Sequence, residues 1–157
     1  MISEKILDKQ TANAIFTSDN YYEVFEQDLI EAENEIVISS PDISHNKIER
    51  FINIMKPRQE KGIKIKIITE NPDNKSTGNP AYLMNLMHQL RKIGFDIGYT
   101  DSANEHYAVI DKSLVWHGGM NLLGKADIWD NLIRVKDIQA AAELLERSFS
   151  ESKIETV

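Results

Sequence analysis

Tyr107-Ala108-Val109-Ile110 and Leu114-Val115-Trp116 are two short apolar runs separated by Asp111-Lys112-Ser113. Few folds tolerate that pattern. So short a polar break cannot carry the chain across a layer, so the runs must lie side by side as a β-hairpin with a tight turn. The second run ends in Gly118-Gly119, where the backbone can bend sharply or approach a ligand closely. Asn121 then opens a short helical segment reaching about Trp129.

Upstream, short strands alternate with amphipathic helices. Residues 1–12 read as a polar leader, and Asn13 to Thr17 as a short strand. Ser18 or Asp19 caps a helix to about Asn34, with Tyr22, Phe25, Leu29 and Ala32 on one face. Glu35 to Ser40 is a strand stopped by Pro41, and its apolar run after a helix suggests a buried parallel position. Asp42 or Ser44 caps the next helix, whose inner face is Ile48, Phe51, Ile52 and Met55; Pro57 ends or kinks it. In Ile63 to Thr69, Ile63, Ile65 and Ile67 alternate with Lys64 and Lys66, which reads as a half-exposed strand. Asn71 to Pro80 is a Pro-, Asn- and Gly-rich loop. A helix from Pro80 to Lys92 buries Leu83, Leu86, Met87 and Leu90, and Gly94 stops it. Phe95 to Thr100 is a strand and Asp101 to Ala103 a turn. After the hairpin, Asp130 to Val135 is a strand. Asp137 caps a last helix with Ile138, Ala141, Leu144, Leu145 and Phe149 inward, and 151–157 reads as a frayed tail.

This order predicts an α/β domain over residues 13–150, with a mixed central sheet of about 6–7 strands and helices on both faces. The chain of 157 residues suits one core. No apolar run approaches the ~20 residues of a membrane span. The absence of cysteine excludes disulfides and thiolate metal sites and fits a reducing, cytoplasmic compartment. A net charge of −7 argues against a sequence-blind nucleic-acid binder. The acids crowd one helix, however (Asp19, Glu23, Glu26, Asp28, Glu31, Glu33, Glu35), which leaves room for a basic face elsewhere.

The block from Asn104 to Asn121 resembles the signature of the phospholipase D superfamily, H-x-K-x(4)-D-x(6)-G-S/G-x-N. Counted from Asp111, Asn104 falls on the family's His and His106 on its Lys. Gly118-Gly119-Met120-Asn121 falls on the Gly-Ser-x-Asn segment, with Gly119 in place of Ser. Asp130 stands where the family often has Glu before its next strand. The resemblance implies a phospholipase D-like lobe over most of the chain and a metal-free, cofactor-free phosphodiesterase chemistry. In that chemistry one His attacks phosphorus and a second, from another copy of the motif, protonates the leaving oxygen. Lys and Asn stabilise the charge that builds on the phosphoryl oxygens. A single motif per chain then implies a homodimer or a second lobe on a larger protein. A more distant similarity links the block to the phospholipase D-like domain at the end of some bacterial superfamily 1 DNA/RNA helicases.

The candidate site follows from those positions. Asn104, His106 and Ala108 share a strand face. His106 is a displaced nucleophile, a cationic phosphate donor when protonated, or an imidazole with a plain structural partner. Asn104 can donate to an anion but cannot attack. Moving attack from 104 to 106 shifts the reacting atom by about 6–7 Å, whereas phosphoryl transfer depends on positioning to about 1 Å. Asn121 is a ligand contact or a helix cap. Gly118 and Gly119 offer backbone N–H groups to phosphate or simply make a turn, and His117 faces the pocket or packs on the sheet. Asp130 orients a polar network or only begins a strand. Asp111 is a turn residue of the motif, and His45 and His88 are surface residues. Trp116 and Trp129 belong to the core, and Lys56, Arg58, Lys61, Lys64 and Lys66 form a solvated basic set. No metal-ligand spacing is present.

The favoured function is a degenerate phospholipase D-like domain of nuclease type, helicase-linked, which binds phosphate or nucleic acid with weak or lost hydrolysis. The alternative is a non-catalytic dimerisation or partner-docking module. An unrelated flavodoxin-like domain is the outlying third reading.

Overall fold

The structure, a computed structural model, describes residues 13–71, 80–100, 105–124, 130–151 and 153–154. The elements are β1 (Ala14–Thr17), α1 (Tyr21–Ile30), β2 (Glu35–Ser39), α2 (His45–Glu60), β3 (Lys64–Glu70), α3 (Pro80–Ile93) and β4 (Asp96–Thr100). They are followed by β5 (His106–Ile110), β6 (Leu114–Gly118), β7 (Asn131–Lys136), α4 (Ile138–Glu151) and the two-residue β8 (Lys153–Ile154). All strands join one mixed sheet in the order β1-β7-β6-β5-β2-β3-β4-β8. Strands β2, β3 and β4 run parallel, and β5 joins β2 antiparallel. The α/β class with a mixed central sheet is the one the sequence implied.

Residue parity sets the two faces. Ile36, Ile38, Ile65, Ile67, Ala108, Ile110 and Trp116 meet the inner faces of α1, α2 and α3 in the large core. Tyr107, Val109 and Val115 turn the other way and pack on Ala141 and Leu144 of α4. The hairpin forms as expected. Its turn closes with Ser113 N–H donating to Ile110 O (3.1 Å), and Asp111 (φ 52°) and Lys112 (φ 58°) take left-handed backbone conformations. Asp tolerates that region better than most residues.

A buried polar triad pins α1 to the sheet. The Asp28 carboxylate accepts from Trp116 Nε1 (2.8 Å), Arg134 Nε (2.7 Å) and Arg134 Nη2 (3.1 Å). Asp28, one of the acids that crowd this helix, is therefore buried.

Several expectations are corrected. The first helix starts at Tyr21 and ends at Ile30, not near Asn34, and its cap residue is Asn20 rather than Ser18 or Asp19. Asn20 Oδ1 instead folds back to accept from Thr17 N–H (2.9 Å). Tyr21, rather than Tyr22, is its fully buried tyrosine. Pro57 does not end α2, which continues to Glu60. The carbonyl that Pro57 leaves unpaired belongs to Asn53, and both residues lie on the exposed face, where water can satisfy it. Strand β3 is not half exposed: Lys64 at its start is exposed, but Lys66 is buried as the isoleucines are. Burial pushes the Lys66 ammonium below its ordinary pKa, opposed by Asp96 on the next strand. With Lys66 inside, and Arg58 donating to the Ala32 carbonyl, the predicted basic set does not form one solvated face. Ile138, read as inward, is 73% exposed at the start of α4. Asp137 does cap that helix, accepting from Ala140 N–H (3.0 Å). His45 and His88 are exposed, and Trp116 is fully buried. The leader, the loop core at 72–79, the turn at 101–103, Asn104, Trp129 and the side chain of Phe149 lie outside the described residues. Among the described residues no helix is long and apolar enough to cross a membrane.

Candidate functional site

The register brings the signature to one end of the sheet. His106 pairs with Gly118, Gly118 with Leu132, Tyr107 with Ser39, and Thr17 with Asn131. The start of β5, the end of β6, the start of β7 and the carboxyl ends of β2 and β3 therefore meet there. In open α/β sheets, ligands bind outside the carboxyl ends of the parallel strands.

His106 is partly exposed and begins β5 on the face of the large core. Its Nδ1 lies 3.3 Å from the Gly118 carbonyl oxygen. A carbonyl only accepts, so in this bond Nδ1 carries the proton. Nε2 is left to act as a lone pair in the neutral ring or as a donor in the cation, and no described residue bonds to it.

Two distant loops are stitched together beside this histidine. Asn121 Oδ1 accepts from Asp42 N–H (2.9 Å), which leaves its amide hydrogens as donors. Ser40 Oγ donates to Asp42 O (2.7 Å) and accepts from Leu123 N–H (3.1 Å). Ser44 N–H donates to Leu123 O (2.9 Å), and Thr69 Oγ1 donates to Pro41 O (3.0 Å). Ser39 Oγ donates to Glu105 O (2.9 Å), just before His106. The sequence showed Ser39-Ser40-Pro41 only as a strand end; the hydroxyls' role as loop ties depends on long-range partners and left no local signal.

Close approach requires glycine at 118, and a side chain crowds the position at 119. A Cβ at residue 118 would meet Asn131 O at 2.1 Å, so only glycine lets β7 lie this near. A Cβ at 119 would meet Asp130 Oδ1 at 2.7 Å, so the Asp130 carboxylate stands against the space where a side chain at 119 would begin. The Gly119 N–H donates to Asn131 O (3.3 Å), engaged in the turn rather than open to an anion. His117 pairs with Tyr107, whose face packs on α4, so its exposed ring lies across the sheet from His106. The structure thus gathers His106, Asn121 and Asp130 at one sheet end and sends His117 to the opposite face.

Asp111 sits at the far end of β5, about 16 Å from His106 at the usual strand rise. Its carboxylate accepts from the backbone N–H groups of Glu33 (2.9 Å), Asn34 (2.7 Å) and Glu35 (3.0 Å). This residue of the signature fastens the hairpin turn to the start of β2. Among the described residues no three His, Asp or Glu side chains gather as metal ligands. A groove of about 760 Å³ between α2 and α3, and a polar hollow of about 520 Å³ beside Asp28 and Arg134, lie outside the signature end.

A family profile described as "Cardiolipin synthase, PLD-like domain" matches residues 25–152. Among curated proteins nothing matches this sequence. Among solved structures, the chain is similar to Nuc, a phospholipase D family member from Salmonella typhimurium, at TM-score 0.73 and 12% identity, covering 93% of this chain and 99% of Nuc. NucT from Helicobacter pylori follows at 0.66 and 14% identity, covering 92% and 99%. TrmBL2, an archaeal chromatin protein with a novel mode of DNA binding, gives 0.66 at 16% identity over 98% of this chain and 58% of its own length.

Proposed function

Because the chain belongs to the phospholipase D-like domain family, we propose that it binds a phosphodiester, of nucleic acid in the first instance, at the sheet end holding His106, and hydrolyses it weakly or not at all. The observation that carries this reading is the state of His106: one ring nitrogen fixed on Gly118 O and the other without a described partner, on the strand end next to the Asn121 loop. A protonated imidazole and a carboxamide are donors suited to phosphoryl oxygens. DNA binding by the similarly folded TrmBL2 supports a nucleic acid as the ligand. Loss of efficient chemistry follows from the motif, since Asn104 cannot attack phosphorus and a nucleophile at His106 is displaced along the strand. The carboxylate beside Gly119 adds negative charge near this end of the sheet, which raises the cost of holding a dianionic transition state there. Homodimerisation and a helicase-type parent belong to the same proposal through the sequence resemblance, and a cytoplasmic setting through the absence of cysteine.

A docking role is the second reading. It is favoured by Ile15 and Ile133, which pair directly at the β1 edge and are 63% and 49% exposed.

The test is binding and cleavage of single- and double-stranded DNA and RNA in EDTA. Binding weakened by His106→Ala, with little turnover, is the expected result. Asn104→His combined with His106→Lys restores the family pattern and is expected to raise turnover. A folded wild-type protein that binds none of these polymers refutes the reading in favour of docking.

A further inference from the structure

Lys47 occupies the first turn of α2, close behind the Ser44 cap and the Asp42 N–H held by Asn121. Its ammonium pairs with no carboxylate among the described residues. The neighbouring acid, Glu26, is instead held by Arg50 through both oxygens, at 2.6 and 2.7 Å. Lys47 Nζ donates to the Tyr21 hydroxyl (3.2 Å) and stands 3.5 Å from the centre of the Tyr22 ring and 5.2 Å from that of Tyr21. Beyond the Tyr21 hydroxyl and the face of the Tyr22 ring, its hydrogens have no described acceptor.

Burial acts on the whole cluster. It pushes the Lys47 ammonium below its ordinary pKa, with Glu26 opposing and Arg50 adding to the fall. It pushes Tyr22 up to about 12 and Tyr21 higher still. The phenols therefore stay neutral donors, and a cation is kept where water is scarce. A seam between α1 and α2 that only needed closing would be better filled by leucine or methionine, because a half-buried ammonium with open donors costs free energy. An incoming anion offsets that cost. The hydrogen bonds from Asp42 to Asn121 and from Ser44 to Leu123 tie the start of α2 to the loop after β6, so Lys47 fronts the same end of the sheet as His106.

We infer that Lys47, braced by the buried Tyr21 hydroxyl, forms a phosphate subsite that takes a non-bridging oxygen of the phosphate adjoining the one at His106. This inference rests on the phosphodiester-binding reading of the site. The shared ligand chemistry is a phosphate oxygen, supplied by nucleic acid or by free phosphate.

The test is Lys47→Met, which keeps the length of the stem and removes the charge. Fluorescence anisotropy with a short labelled oligothymidylate in EDTA reads affinity, and thermal denaturation reads the seam. The expected results are a loss of affinity of about 10- to 100-fold, a slope of log K against log salt shallower by about 0.7, and a Tm no lower than wild type. Unchanged affinity in Lys47→Met, with the His106→Ala loss still present, overturns the subsite and leaves the site standing. Protein that ignores the oligonucleotide but binds inorganic phosphate in a Lys47-dependent manner overturns the nucleic-acid reading and leaves the subsite. A lowered Tm with unaltered affinity of the folded protein makes Lys47 a packing residue and overturns the inference.

Discussion

Asp111 is expected to hold the fold rather than the ligand, and a series of substitutions separates the two roles. Three backbone N–H groups converge on its carboxylate, at 2.9, 2.7 and 3.0 Å. Hydrogen bonds to a charged group are worth about 1.5–3 kcal/mol each. Two of these three are solvent-exposed, and Glu33 and Glu35 in the same turn repel the carboxylate, so about 1 kcal/mol per bond is the better figure. The residue also holds φ at 52°, which costs alanine about 1–2 kcal/mol more than glycine. Asp111→Ala should therefore cost about 4 kcal/mol and Asp111→Gly about 3. Asp111→Asn, which keeps one acceptor oxygen and a side chain suited to this backbone, should cost about 1–2. Urea denaturation at neutral pH, with an unchanged m-value, gives these differences. Because His106 is a full strand length away, oligonucleotide affinity per folded molecule should not move. The reasoning is refuted if Asp111→Gly equals wild type, if alanine is better tolerated than asparagine, or if binding falls while stability holds.

Asp28→Ala takes the carboxylate from the buried Arg134 guanidinium and the Trp116 indole N–H, and should cost about 3–5 kcal/mol, read by chemical denaturation. Adding Arg134→Met should recover part of that loss. Gly118→Ala should abolish soluble folding or cost more than about 3 kcal/mol, because the obstacle is the Asn131 backbone, whereas Gly119→Ala should cost under about 1 because an Asp130 side chain can turn aside. Thermal scans of both variants decide it. Tyr22, with its folded-state pKa raised from 10.0 to about 12, contributes stability that is complete below pH 10 and is lost as pH rises toward 12. Ultraviolet titration of phenolate, followed alongside unfolding, should show late ionisation and an alkaline loss of stability that Tyr22→Phe reduces.

Most strands and helices were readable from local signals, although the cap and end of α1 were not. Asp137 and Ser44 could be recognised as caps, and the hairpin from the spacing of Ile110 and Leu114, because turn and cap chemistry is written within a few residues. What escaped depended on partners far along the chain. Asp28 read only as one of the acids crowding a helix, and its meeting with Arg134, 106 residues later, puts it inside. Lys66 alternates with isoleucines like a surface residue, yet both faces of this central strand are buried at its position. Pro57 looked like a terminator because its outward orientation is invisible until the inner face of α2 is fixed. The signature marked the sheet end to which the strand register brings His106 and the turn before Asn121. It gave no hint of Lys47, which lies far upstream and arrives there through the Asp42–Asn121 and Ser44–Leu123 bonds.

Strand β2 takes one neighbour, β3, from the segment that follows it and the other, β5, from more than seventy residues downstream, where Ile36 meets Ile110. During synthesis, the parallel trio of β2, β3 and β4 leaves the ribosome with the β2 margin bare, and it stays bare until the hairpin has emerged. Bare margins recruit other chains. Substitutions that delay the hairpin therefore act first on the yield of soluble protein in the cell, before they register in the equilibrium stability of the finished molecule.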